Sequence, residues 1–137
     1  MLTLRKVVSL AAPVAQMMTP EQLNHLSLYW TRKNQEWDKE WMQGSASERL
    51  ERRLGKTVER YSDFYGPLST AQTGMVKAQL QQSAWTPDWG WRDRLRRHQE
   101  LLSALQKASQ THASALPQVE ADLWAVWDRW MSPPDAY

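Results

Sequence analysis

The sequence predicts an all-α protein of five or six helices, arranged as a helical bundle or a curved helical cradle. Residue types that favour helices are abundant, whereas isoleucine is absent and no Val/Ile/Thr alternation indicates strands. Apolar residues recur at helical spacing. Three segments also begin with the residues of a helix-capping box. At 137 residues the chain can bury a core without disulfides, so we expect a single domain over residues 1–137.

The first element is expected within residues 1–18, where MLTLRKVVSLAAPVAQ allows two interpretations. Arg5 and Lys6 before an apolar run resemble a short signal peptide, which would make this segment a processed leader. Pro13, however, lies where a small residue should precede cleavage after Ala15. A first helix is the favoured interpretation, with these side chains packing inward: Leu4, Val7, Val8, Leu10 and Ala11.

Three further helix starts follow from a repeated motif, in which a hydroxyl residue precedes Gln or Glu by three positions. The two side chains of such a pair satisfy backbone N–H groups that a helix start otherwise leaves without partners. Pro20 fits the first of these starts, because its missing N–H is harmless at the first helical position. The repeat is therefore interpreted as structure and not as a chemical signature. The predicted capping pairs are Thr19 with Gln22, Ser45 with Glu48, and Ser69 with Gln72.

The remaining boundaries follow from glycine, proline and apolar spacing. Gly44 and Gly66 end two helices, and the segment Thr86-Pro87-Asp88 begins a long one. The predicted helices cover residues 20–42, 46–65, 70–82, 87–113 and 119–131, and residues 132–137 form a tail. The third helix has an amphipathic stripe made of Leu50, Leu54, Val58, Tyr61 and Tyr65.

Composition excludes several classes of chemistry. The chain has no cysteine, which excludes thiol catalysis and thiolate metal sites. His25, His98 and His112 are scattered without metal-ligand spacing, and neither a phosphate-binding glycine loop nor a nucleophile elbow occurs. We therefore expect no enzymatic activity, no metal, no cofactor and no small-molecule substrate. The net charge of +2 and the lack of a uniform basic stripe make nucleic acid an unexpected partner.

Tryptophans and arginines between residues 85 and 97 indicate a binding surface. Trp85 falls in a loop, and Trp89 and Trp91 are two positions apart, so we expect at least one of the three to be exposed. Indole and guanidinium groups are typical of interfaces. Two alternative interpretations are kept: core packing for most of the nine tryptophans, and ion pairing on solvated faces for the arginines. The candidate partner-binding residues are Trp85, Trp89, Trp91, Arg92, Arg96 and Arg97.

A longer stretch resembles the carboxyl-terminal half of an uncharacterised family of proteobacterial envelope lipoproteins. The matching features are a Pro-Glu-Gln helix start, a charged helix with NQEW, a Gly-Ser-x-x-Glu-Arg turn, an aromatic YSDFYG and a Leu-Ser-x-x-Gln start. Members carry a lipid-modified cysteine and a further helical segment in front, so this chain is expected to be a fragment or an unusually short member. Membrane association is expected only if a lipid anchor precedes it. The paired Ser/Thr-x-x-Gln motifs also resemble those of the Spy/CpxP periplasmic stress proteins.

These observations favour a non-enzymatic binding protein of the periplasm or envelope, chaperone-like, with a protein or an unfolded client as its partner. A cytoplasmic location stays open. One alternative is a structural subunit of a larger assembly, whose tryptophans are buried against a partner. A second is a helical nucleic-acid-binding domain, whose affinity would fall steeply with salt.

Overall fold

The apolar stripes and capping residues of the sequence form six α-helices in the computed structural model, which describes residues 2–132. The helices are α1 (Leu2–Met17), α2 (Pro20–Trp41), α3 (Ala46–Tyr65), α4 (Thr70–Gln82), α5 (Pro87–Ser109) and α6 (Leu116–Met131), and a 3-10 turn (Ala113–Ala115) precedes α6. No strand occurs in the described residues. The prediction of an all-α protein with five or six helices is confirmed. Of the predicted tail, residues 133–137 lie outside the described part of the chain.

Reciprocal hydrogen bonds begin α2 and α4. The backbone N–H of Thr19 donates to Gln22 Oε1 (2.9 Å), and the N–H of Gln22 donates to Thr19 Oγ1 (3.2 Å). Ser69 and Gln72 make the same two bonds, at 2.8 and 3.2 Å. Each pair satisfies two backbone donors of a helix start, so the repeated motif has a complete structural explanation.

The start of α3 uses half of this arrangement. The Glu48 N–H donates to Ser45 Oγ (3.2 Å), which makes Ser45 an N-cap. The Glu48 carboxylate lies beside Gly44, where it occupies the space that a Cβ would need. Gly44 has φ +91° and Gly66, after α3, has φ +82°, backbone conformations that glycine adopts without steric cost. Glycine therefore suits both of these helix ends.

The long helix α5 ends at Ser109, four residues before the predicted boundary. The Thr111 hydroxyl donates to the carbonyl of Ala108 (2.6 Å), and the Thr111 N–H bonds the same oxygen (3.0 Å). Such i to i−3 bonds tighten the last turn and satisfy carbonyls that would otherwise lack donors. A local side-chain cap thus ends α5 before the apolar pattern does.

The last helix begins earlier than predicted, at Leu116 instead of Val119. Pro117, which precedes the predicted helix of residues 119–131, lies within the first turn of α6. A proline there loses no helical hydrogen bond, since the first N–H groups of a helix have no partners inside it. This proline therefore marks a helix start and not a break.

The described chain divides into two compact units. Unit 1 contains residues 2–33 and 92–132, and unit 2 contains residues 34–91. The boundaries fall inside the sequence of α2 and inside that of α5. The expectation of a single domain over residues 1–137 stays a prediction.

Unit 1 is organised around small side chains between α1 and α6. Ala12 and Ala15 of α1 are buried with Ala108 and Val119, and three leucines pack around them: Leu105, Leu116 and Leu123. Small residues allow helix axes to approach closely, because little side-chain volume separates them. The Gln16 amide also connects α1 to the segment that follows α5, by donating to Thr111 Oγ1 (3.2 Å) and to the carbonyl of His112 (2.7 Å).

The inward face of α1 differs from the prediction. Leu4 and Val8 are half-buried as expected, but Val7, Leu10 and Ala11 are exposed. Because α1 is apolar on more than one side, hydrophobic spacing alone does not identify the side that packs. The side with Ala12 and Ala15 packs against α6, and Val7 and Leu10 lie on the exposed side of the helix.

Unit 2 is built on the pairing of α3 with α4. Leu54 is its buried residue, and Lys77 of α4 reaches Glu51 of α3 with an Nζ to Oε1 distance of 2.6 Å. Arg52 of α3 donates to the carbonyls of Lys39 and Glu40 (3.1 Å each) in the last turn of α2. This guanidinium satisfies carbonyls that a helix end leaves without donors.

Candidate protein-binding site

Four tryptophans of unit 2 contact one another. Trp37 lies 6.2 Å from Trp41 and 5.7 Å from Trp91, measured between ring centroids. Trp41 also meets Trp85 at 6.4 Å in an edge-to-face arrangement. These separations are within the range that aromatic pairs favour. Unit 2 therefore has an indole cluster in which each ring contacts at least one other ring.

Trp85, which follows α4 in a loop, is held on two sides. The Arg53 guanidinium lies 4.7 Å from the Trp85 ring centre and donates to the Trp85 carbonyl (3.1 Å). Burial lowers the pKa of this arginine. A Cβ built on Gly90 would lie 2.5 Å from the indole, so the ring packs directly on the backbone of α5. The loop position of Trp85 therefore does not make it accessible.

The prediction that at least one of Trp85, Trp89 and Trp91 is exposed is wrong. All three are half-buried, as are the other six tryptophans. Thr86 accepts a hydrogen bond from the Trp89 N–H at Oγ1 (3.1 Å), which fixes the start of α5 and with it the direction of the following indoles. Sequence spacing places Trp89 and Trp91 on different helix faces, but both faces pack. Participation of these three residues in partner binding stays a prediction.

Two of the three candidate arginines are ion-paired within unit 1. Arg96 reaches Asp93 Oδ1 at 2.7 Å and Glu100 Oε1 at 3.1 Å, and hydrogen bonding to Asp93 raises the pKa of the Arg96 guanidinium. Arg97 pairs with Asp93 (Nε to Oδ2, 2.8 Å), at an angle outside the range of a hydrogen bond. Arg97 also donates to the carbonyl of Trp130 at 3.3 Å and lies over its ring.

Arg92 and Arg96 meet at a groove between α5 and α6 in unit 1. The groove has a volume of about 710 Å³. Arg92 is exposed and forms no ion pair within residues 2–132, whereas Arg96 keeps its two carboxylate partners. The floor is apolar and is formed by Leu95, Ala104, Ala125 and Val126.

Cations outnumber carboxylates around this groove. The basic side chains are Arg92, Arg96, Lys107 and Arg129, and the acidic ones are Glu100 and Asp122. Lys107 pairs with Asp122 at 2.9 Å, and this hydrogen bond lowers the pKa of the Asp122 carboxyl. Arg129 reaches Glu100 at 3.5 Å. The groove thus combines apolar lining with one cation, Arg92, that has no carboxylate partner in the described residues, which is the chemistry of a site for an acidic, amphipathic ligand.

Sequence reasoning found Arg92 and Arg96 but missed the rest of the groove. A signal for Lys107 was present, because residues 92, 96, 103 and 107 share one face of a helix. Arg129 and Val126 gave no such signal. Their place in the groove depends on the packing of α6 beside α5, which spacing within one helix does not predict.

A second exposed feature lies on α3 in unit 2. Phe64 and Tyr65 are 84% and 78% exposed, and Tyr61 is 46% exposed. Tyr65 contacts both neighbours, with ring centroids 6.3 Å from Tyr61 and 5.8 Å from Phe64. The predicted stripe of α3 is half-buried or buried as far as Val58, but its two tyrosines face solvent. We refer to these three residues as the α3 aromatic cluster.

No group of three His, Asp or Glu side chains in residues 2–132 lies close enough to hold a metal ion. Among the described helices, none combines the length and the apolar character needed to cross a bilayer.

Residues 2–129 match the family described as "Family of unknown function (DUF6279)". The chain belongs to this family. Membership in DUF6279 agrees with the expectation of an uncharacterised family, whereas the likenesses to envelope lipoproteins and to Spy/CpxP proteins stay expectations. No curated protein and no solved structure matches this DUF6279 chain.

Proposed function

We propose that the protein is a non-enzymatic, chaperone-like binding protein of the cell envelope, which holds an acidic amphipathic segment of a partner or of an unfolded client in the α5–α6 groove. The observation that carries this proposal is the coincidence of an apolar floor and an excess of cations in one cavity. A segment with apolar residues on one side and carboxylates on the other complements both features. The envelope location is supported by the resemblance of the sequence to envelope lipoproteins.

The groove residues would make different contributions to ligand binding. Arg92 has no carboxylate partner within the described chain, so it can form a bidentate pair with a ligand carboxylate without breaking an existing bond. Arg96 and Lys107 are already paired with carboxylates, so Arg92 would provide the main charge contact. Leu95, which is 39% exposed, offers apolar surface to the ligand. Charge would therefore favour the binding of acidic segments, and the apolar floor would favour segments that also have an apolar side.

Fluorescence anisotropy with designed peptides tests this function. The probe is a short, labelled amphipathic helix of Leu, Ala and Glu, and its counterpart carries Lys in place of Glu. We expect the Glu peptide to bind and the Lys peptide not to bind. Arg92→Glu should weaken binding roughly 5-fold or more, because it replaces an attractive rim charge with a repulsive one.

Arg32→Glu is the matched control, because it makes the same charge change at an exposed position of α2. It should leave binding within about 2-fold, since Arg32 lies outside the groove. Equal binding of both peptides, or no binding of the Glu peptide to the wild-type protein, would refute the proposal. Tighter binding of a DNA oligonucleotide than of the Glu peptide would favour the nucleic-acid alternative.

A structural subunit of a larger assembly is the second candidate, and the α3 aromatic cluster favours it. Exposed, contiguous aromatic side chains are typical of protein interfaces. The two candidates differ in selectivity: a subunit fits one partner, whereas a client-binding protein accepts varied acidic peptides. A panel of Glu-containing amphipathic peptides with different apolar residues separates them, because only the client-binding protein should bind most of the panel.

A further inference from the structure

Glu100 lies inside the α5–α6 groove and is bound there by two arginines. Arg96 Nη1 donates to both of its carboxylate oxygens, at 3.1 and 3.2 Å, and Arg129 Nε lies 3.5 Å from Oε2. All three side chains line the groove, and the Glu100 side chain is 23% exposed. The groove therefore already holds one carboxylate, which the chain itself supplies.

The contact between Glu100 and Arg129 leaves this arginine incompletely satisfied. Its length of 3.5 Å exceeds the ordinary N–H···O range of about 2.7–3.2 Å. A guanidinium binds a carboxylate best through two parallel N–H···O bonds, and Glu100 does not offer this arrangement to Arg129. The Arg129 side chain is 51% exposed and pairs with no other carboxylate in residues 2–132. A ligand carboxylate, which is not tied to the backbone of α5, could align with it better.

Arg92 and the Glu100 carboxylate mark two anion positions along the groove. Arg92 has no carboxylate partner in the described residues, and Arg96, which holds Glu100, follows it one helical turn later in α5. Four residues of a helix advance about 6 Å along its axis. Two glutamates four residues apart on a ligand helix have the same separation and share one face. A ligand with such a pair matches both positions if it replaces Glu100 at the second.

We propose that Arg96 and Arg129 form a second carboxylate subsite of the groove, in which Glu100 is an internal competitor that a ligand glutamate replaces. This inference rests on the function proposed above and specifies its ligand, a helical segment with two acidic residues four positions apart. Because the ion pairs of Glu100 break when the ligand enters, the second ligand carboxylate adds little net affinity. Glu100 thereby keeps binding weak and reversible, as release of varied clients requires.

Glu100→Gln tests the subsite directly, because it removes the competing charge and keeps the size of the side chain. The probe is a labelled helical peptide of Leu, Ala and Gln with two Glu residues at positions i and i+4, and its isomer carries them at i and i+7. In fluorescence anisotropy we expect Glu100→Gln to bind the i, i+4 peptide roughly 5-fold more tightly than the wild-type protein does, and the isomer less than about 2-fold more tightly. Glu21→Gln, the same charge change at an exposed position of α2 outside the groove, is the control and should bind like the wild-type protein.

A double-mutant cycle between Glu100 and Arg129 separates the subsite from a general change of charge. If Arg129 receives a ligand carboxylate once Glu100 is removed, Arg129→Gln should weaken binding roughly 3-fold more in the Glu100→Gln protein than in the wild-type protein. Additive effects of the two substitutions would mean that Glu100 acts through net charge alone, and would overturn the inference. Thermal unfolding of each variant verifies that it folds.

The outcomes distinguish this inference from the function on which it rests. If the i, i+4 peptide bound the wild-type protein and Glu100→Gln did not strengthen this binding, or Glu21→Gln strengthened it equally, the role of Glu100 would be refuted and groove binding would stand. Binding to the Glu100→Gln protein alone would support the competitor and contradict the proposed function of the wild-type protein. A peptide that bound neither protein would refute both.

Discussion

His98 illustrates how one residue's surroundings alter its chemistry. Its imidazole stacks on Trp30, with ring centroids 4.6 Å apart and planes that differ by 6°. Burial, and to a lesser degree the nearby Arg94 guanidinium, lowers the pKa of His98 below its ordinary value. The folded protein therefore binds a proton at His98 less readily than the unfolded chain does, and the neutral imidazole is the form that belongs to the native state.

Acidification should consequently destabilise the protein through His98. Because the folded-state pKa is lowered, stability is highest above a pH of about 6.5, the ordinary pKa, and falls as the pH decreases through the folded-state value. We expect urea denaturation to show this loss in the wild-type protein. The loss should be smaller in His98→Phe, which keeps an aromatic ring against Trp30 but does not titrate. Identical pH profiles for the two proteins would contradict the assignment to His98.

Gly90 and Gly74 form a matched pair for testing packing. A Cβ at Gly90 would lie 2.5 Å from Trp85 Cζ2, whereas one at Gly74 would meet nothing within 4 Å. Gly90→Ala should therefore destabilise the protein by roughly 1–3 kcal/mol through overpacking. Gly74→Ala should stabilise it by about 0.5–1 kcal/mol through helix propensity. Urea denaturation measures both, and the same sign for the two substitutions would disprove the packing of Trp85 on α5.

At the scale of the element, each helix begins or ends where a few local hydrogen bonds permit it. The starts of α2 and α4 have two side-chain bonds each, and the end of α5 has the Thr111 hydroxyl. Such bonds involve residues within four positions of one another, so they can be predicted from the sequence. The end of α5 was missed because a threonine two residues beyond a helix is a weaker signal than a capping box.

Loss of a capping hydroxyl should cost stability and leave binding intact. Thr19→Ala and Ser69→Ala should each lower the free energy of unfolding by ~1 kcal/mol, because each leaves a helix-start N–H without its acceptor. Thr70→Ala, beside Ser69, is the control and should have a smaller effect, since the Thr70 hydroxyl is not part of the capping box. Neither capping residue lines the α5–α6 groove. Undiminished stability with loss of peptide binding would contradict the structural interpretation of the repeat.

At the scale of the whole molecule, the sequence predicted the helices far better than their packing. Helix boundaries depend on nearby residues, whereas the buried face of a helix depends on which other helix reaches it. Val7 and Leu10 of α1 and the two tyrosines of the α3 aromatic cluster follow apolar patterns that favour packing, yet all four are exposed. The same holds for the candidate site. The spacing of charged residues in α5 predicts ion pairs within that helix, but nothing in the sequence predicts that α6 contributes to the groove.

The indole cluster of unit 2 has an optical consequence. Trp37, Trp41, Trp85 and Trp91 lie close enough for their excited states to couple, and coupled indoles give a paired positive and negative band in circular dichroism. The ring contacts described for the tryptophans of unit 1 are instead with a histidine and a guanidinium. The exciton band therefore reports on one half of the molecule, and its loss on heating, compared with the helical signal of the whole chain, reveals without any label whether the two units melt together.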